Sequence, residues 1–268
     1  MGVFLLFLLA TAMGSLSTLY WIPEPDLGRG YFQMNALVIL GLLALAVAVV
    51  LLHPFAALGG MTTAALALAL AAAFLYYMAI WRERWDLCRW PLSLAVAACL
   101  AGFLLAGRGL VPPITPLPHR APLLAAGLLA SALLLGWSLI TMLLGHWYLV
   151  APRLTFRHLV VFCRALLALT ALRLLTVLAS LAVAAGVDAR VEPHPLHLLA
   201  DLAAQGIFFW FRLLWGLAVP LLLAAMALHC ARQRSNQSAT GILYVLVVGT
   251  FIGEITGYYL MVTTGVPV

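Results

Sequence analysis

Hydrophobic positions in this chain fall in long unbroken runs, not in the alternation of a half-buried strand or the one-sided stripe of a soluble helix. Eight runs, at residues 3–21, 33–52, 57–81, 91–111, 122–150, 159–185, 207–230 and 239–263, are each long enough to cross a bilayer as a helix. Their continuity is unlike the short alternating segments of an outer-membrane barrel. Prolines mark most of the turns between them: Pro23 and Pro25, Pro54 directly after His53, Pro112 and Pro113, Pro152, Pro193 and Pro195. The first run lacks a basic leader, so it reads as a span and not as a signal peptide. The elements predicted are eight transmembrane helices joined by short loops.

Composition agrees. With 66% hydrophobic and only 8% charged residues among 268, the chain cannot present a polar exterior to water. The fold class expected is an all-α polytopic membrane protein, with the lipid bilayer as its main partner. A faint echo links the halves: "TLYWIPEPDLGRGYFQMNALVILGLLALA" resembles "GHWYLVAPRLTFRHLVVFCRALLALTALR", and "LAAAFLYYMAIWRERW" shadows "LLAAMALHCARQRSNQ". Residues 1–120 and 121–268 are therefore expected to form two four-helix bundles related by a weak parallel repeat.

Charge sets the orientation. All basic residues are arginine, and the +6 balance belongs to a membrane surface, since no basic patch interleaved with aromatics suggests nucleic acid. Arg29, Arg82, Arg84, Arg89, Arg153, Arg157, Arg232 and Arg234 follow the odd-numbered spans; only Arg108, Arg120 and Arg190 lie on the other side. Eight against three places the odd loops in the cytoplasm and both termini outside a cell inner membrane. Cys88, Cys99, Cys163 and Cys230 show neither CxxC nor zinc spacing, which argues against c-type haem, an iron–sulfur cluster or a disulfide framework.

Ionic side chains inside the spans are the candidate chemistry. Glu254 lies near the midplane of the last span and Arg173 equally deep in the sixth. Alone, each costs at least about 2.5–3.5 kcal/mol to insert, so the two are expected to meet. Thr250, Glu254 and Tyr258 form one stripe at i, i+4 spacing, flanked by Gly253 and Gly257; Arg173, Thr176 and Ser180 form another. The pair reads either as a structural pin fixing helix register or as a proton relay or substrate contact. Arg164, near the end of its span, is expected to snorkel, and so is Arg212, with cation–π support from Phe208, Phe209 and Trp215.

His146 and His229 end spans that run in the same direction, an arrangement that permits bis-histidine ligation of a b-type haem. Trp147 and Tyr148 beside His146 read as an aromatic belt that can also hold a quinone ring. On the other side, "PHPLHLLADLAAQG" predicts an interfacial helix starting at Pro195 with His197, Asp201 and Gln205 in a stripe. A metal held by His194, His197 and Asp201 is the weaker reading of the same segment.

HExxH, GxSxG, GxxxxGK[ST] and GxGxxG are all missing, and the loops are too short for a soluble catalytic domain. The chain is thus expected to be the membrane subunit of an oxidoreductase, not catalytic alone. It would bind quinone, with haem b as a further candidate cofactor, pass protons through Glu254 and Arg173, and assemble with other subunits. His146, His229, Trp147, Tyr148, Arg164 and Tyr258 are the cofactor-binding candidates. Eight-span quinol-handling anchors of the polysulfide-reductase and DMSO-reductase type share the span count, an analogy of architecture without a shared motif. A small-substrate transporter using Arg173 and Glu254, and a purely structural subunit, are the alternatives.

Overall fold

The computed structural model describes the chain apart from residues 23–26, 54, 56–57, 116, 151–156, 189, 191–193 and 203–204. Pro23, Pro25, Pro54, Pro152, Arg153 and Pro193 therefore lie outside the described residues. The helices are α1 (Gly2–Leu19), α2 (Arg29–Leu52), α3 (Gly60–Trp81), α4 (Trp85–Leu110), α5 (Arg120–Val150) and α6 (Arg157–Ala185). They continue with α7 (Pro195–Ala200), α8 (Gly206–Leu213), a π-helical turn at Leu214–Ala218, α9 (Val219–Arg232) and α10 (Asn236–Thr264). α8, the π turn and α9 together make the seventh span, so among the described residues eight helices are long and apolar enough to cross a membrane. The fold is all-α and polytopic.

Within the first half α1 packs on α2, α2 on α3 and α3 on α4, and α4 closes back on α1. Among the later spans α5 packs on α6, α6 on α9, α9 on α10, and α10 on α5. The halves meet where α1 crosses α5. Every residue from Leu5 to Leu16 is buried, because α1 is enclosed by α2, α4, α5 and α10. Small side chains make this crossing close. A Cβ on Gly14 would strike the Ala132 carbonyl, and one on Gly136 would strike the Gly14 backbone. In a bilayer, where lipid tails compete equally for apolar surface, such close backbone packing is the main force between helices.

Large apolar side chains left exposed, among them Leu45, Phe74, Leu175, Leu222 and Val248, face the surrounding hydrocarbon. Exposed Tyr20, Trp21, Trp81 and Trp90 gather at one end of the bundle, and Trp210 and Trp215 lie towards the other, as interfacial aromatics do. Arg29 reaches Glu83 and the Trp81 carbonyl, tying α2 to the α3–α4 turn.

The predicted interfacial helix is shorter than its stripe required. Pro195 does open α7, but the helix stops at Ala200, and Asp201 is extended with φ −66° and ψ 116°. At the start of α8 the Gly206 N–H bonds the Asp201 carbonyl at 2.8 Å. His197, Asp201 and Gln205 therefore never share a helical face. Beyond α10, Gly265 takes a left-handed φ of +75° and sends the chain back into the bundle. Val266 and Val268 are buried against Val177, Leu199, Phe209, Leu217 and Leu260.

Candidate functional site

Glu254 and Arg173 meet as expected. The Arg173 Nε lies 3.2 Å from Glu254 Oε1 and 3.3 Å from Oε2, and both residues are fully buried. A second guanidinium completes the site. Arg212 Nη2 donates to Glu254 Oε1 at 2.6 Å and is also fully buried. The expectation that Arg212 snorkels is therefore wrong, and the reason is local. Pro220 has no N–H and sterically disfavours a regular turn with the residue four before it, Gly216. The helix answers with the π turn at Leu214–Ala218, and the freed Gly216 carbonyl accepts from Arg212 Nη1 at 3.2 Å. Phe208, Trp210, Phe211 and Trp215 keep the lipid side while Arg212 turns inward.

Glycines bring the carboxylate within reach. A Cβ on Gly216 would stand 2.7 Å from the Gly253 Cα, so the π turn and α10 pack backbone to backbone one residue from Glu254. On α5, Ser131 Oγ donates to Glu254 Oε2 at 2.6 Å. That uses its one proton, so Tyr258 O–H donates to Ser131 Oγ at 2.7 Å. Arg173 Nη2 donates to the Val268 backbone oxygen at 3.0 Å, and its Nη1 to Thr176 Oγ1 at 3.4 Å. The folded-back segment thus covers the cluster and satisfies one of its donors. Four elements hold the Glu254 carboxylate between two guanidinium groups, a formal surplus of one positive charge among these three side chains. Arg212 Nε and Thr250 Oγ1 have no hydrogen-bond partner there.

Ser131→Ala is expected to lower stability by about 1.5 kcal/mol, the upper part of the range for an interhelical hydrogen bond in a bilayer, because its acceptor is charged. Tyr258→Phe leaves that bond in place and should cost about half as much. Thermal unfolding of the purified protein in detergent measures both; equal losses would show that Ser131 does not reach the carboxylate.

The remaining candidates are spread out. His146 is exposed at the end of α5, its Nδ1 3.0 Å from the Tyr244 hydroxyl. His229 is exposed at the end of α9, its Nε2 2.9 Å from Gln233 Nε2. Trp147 is half-buried and donates from Nε1 to the Leu27 carbonyl at 3.2 Å, while Tyr148 is buried. Arg164 is exposed. His194 stacks beside His197 with ring centres 4.9 Å apart, and among the described residues no three His, Cys, Asp or Glu side chains converge to hold a metal.

One feature escaped the sequence entirely. Between α4 and α5, at the end of the bundle where the chain passes from one to the other, lies a cleft of about 760 Å³. Its walls are mostly apolar, including Leu104, Leu105, Leu124 and Leu128, but Arg108 and Arg120 also line it. Arg120 Nη2 bonds the Val111 carbonyl at 2.6 Å, whereas its buried Nε has no partner. No family model matches the chain, and no curated protein matches it in sequence.

Proposed function

We propose that the chain is the membrane subunit of an electron-transfer complex and that it binds a quinone in the cleft between α4 and α5. The supporting observation is the pairing of a 760 Å³ apolar cleft with two guanidinium groups at one end. A quinone is a long apolar molecule with a two-carbonyl head, and each carbonyl accepts charge-assisted hydrogen bonds as reduction loads it with electrons. The exposed Arg108 on the cleft wall fits such an acceptor. Membrane ligand sites of this kind bury an apolar body and fix its orientation with few polar groups.

The Glu254 cluster has a different role in this reading. A relay carboxylate must trade protons with a donor on one side and an acceptor on the other. Both oxygens of Glu254 are taken by Arg173, Arg212 and Ser131, and Val268 seals the cluster. It acts as an ionic pin that holds α5, α6, α8 and α10 in register. The same closure disfavours a transporter with its substrate at this point. The exposed positions of His146 and His229 likewise favour quinone over haem. Arginine bias supports an inner-membrane orientation with Met1 and the cleft on the outer side. The short loops support assembly with redox subunits, which would carry the electrons onward.

The test is quinone binding by the purified chain in lipid nanodiscs. Arg108→Gln with Arg120→Gln is expected to weaken it at least tenfold, since hydrogen bonds from charged donors contribute about 1.5–3 kcal/mol each. A chain that binds neither ubiquinone nor menaquinone ends this reading, and uptake of a solute by vesicles containing it alone would replace it.

A further inference from the structure

We infer that the isoprenoid tail of that quinone is held along α4, in a groove running from Arg108 almost to the opposite membrane surface; this rests on the quinone reading above. A second cleft, of about 430 Å³, lies on α4 towards its N-terminal end. Ser17 in the last turn of α1, with Tyr20 and Trp21 just after it, forms one bank, and Ser93, Ala97 and Leu100 of α4 form the other. Leu100 lines this cleft and Leu104, one turn on, lines the first, so the two follow one another along one face of α4. Ser93, Ala97, Leu100, Leu104 and Arg108 follow at steps of three or four, a single strip up the helix surface.

Small residues keep that strip open. Ala97 and Ala101 are exposed on α4, and Ala121 is exposed on the facing α5. Among the residues lining the two clefts the charged ones are Arg108 and Arg120, both at one end; Arg89 follows one turn beyond Ser93, outside the second cleft. The far end carries a neutral pair, the Tyr20 and Ser93 hydroxyls 2.8 Å apart. A molecule with one polar head and a long apolar tail matches this polarity.

Length selects among such molecules. Fifteen residues separate Ser93 from Arg108, about 22 Å at the helical rise. The hydrocarbon core is about 30 Å thick, so a phospholipid chain anchored beside Arg108 ends near the midplane and fills only the first cleft. A polyisoprenoid crosses the midplane and fills both. Because its alternative surroundings are lipid tails, the tail gains packing and not hydrophobic transfer. The groove therefore governs where the tail lies more than how tightly the quinone binds.

The test uses the full chain in phosphatidylcholine nanodiscs with two quinone photoprobes of equal, long tail, one carrying a diazirine on the ring and one at the tail tip. Cross-linked peptides are mapped by mass spectrometry. The ring probe is expected to label the segment around Arg108 and Arg120, and the tip probe the segments Ser17–Trp21 and Ser93–Leu100. Ala97→Trp, a change at an exposed position, should cut tip labelling at least fivefold and leave ring labelling unchanged. Tip labelling spread equally over the lipid faces of α2 and α3, or indifferent to Ala97→Trp, overturns the groove and leaves the head-group site standing. Absent ring labelling overturns the quinone reading itself. Displacement of both probes by phosphatidylglycerol overturns the groove in favour of a site for anionic lipid.

Discussion

Glu254→Gln is expected to destabilise the protein by about 3–5 kcal/mol, the loss typical of removing one partner from a buried ion pair. The change is nearly isosteric, so packing contributes little. What it removes is the side-chain carboxylate between Arg173 and Arg212, leaving two fully buried guanidinium groups without it. Arg212→Met should cost clearly less, because Arg173 and Glu254 remain as a neutral pair. The double variant Glu254→Gln with Arg173→Met should fall between the two, since one guanidinium still lacks a counter-charge. Unfolding of each variant in the same detergent gives the cycle, and the coupling between positions 254 and 173 should be well above additivity. Moderate salt should rescue none of them, because buried charges are poorly screened. Losses that simply add, or an Arg212→Met cost as large as that of Glu254→Gln, would show that the three side chains do not act as one cluster.

Half of that cluster was legible. Glu254 and Arg173 stood at matching depth in apolar runs, and each carried polar neighbours at helical spacing; the cost of an unpaired membrane charge made their meeting a physical necessity. Arg212 was not read this way. Aromatic neighbours and a position towards the end of its span suggested snorkelling, although the signal was present: Pro220 follows Gly216 by four and so frees a carbonyl on the inner side of the same helix. Ser131 gave no signal at all. A serine in an Ala- and Leu-rich span ordinarily bonds its own backbone, as Ser138 does on the same helix, and the approach of α10 turns Ser131 to the carboxylate. The span boundaries fell within six residues of prediction, the largest gap being at the fourth helix, which starts at Trp85 and carries Pro91 inside it, because hydrophobic length is a local property. The cleft was hidden for the opposite reason: it exists where α4 and α5 part, and Arg108 and Arg120 looked like ordinary loop charges.

The other large effect is expected at the crossing of the two halves. Gly136→Leu should separate α1 from α5 and cost more than about 3 kcal/mol, because overpacking that a side-chain shift cannot relieve lies at or beyond the usual 1–3 kcal/mol range. At Gly136 the obstacle is the Gly14 backbone and the Ser15 nitrogen, neither of which can rotate away. Gly41→Leu is the matched control: a Cβ there meets nothing within 4 Å, so the same substitution should be almost silent. The consequence reaches past stability. Ser131 lies five residues before Gly136 on α5, and Leu124 and Leu128 of the cleft wall lie on that helix too. A displaced α5 takes Ser131 from Glu254 and widens the cleft together. Gly136→Leu should therefore absorb most of the further cost of Ser131→Ala and weaken quinone binding in the same protein, whereas Ser131→Ala alone should leave quinone binding intact. Full additivity of the two changes, with binding unaltered in Gly136→Leu, would mean that α5 does not transmit the crossing to either site.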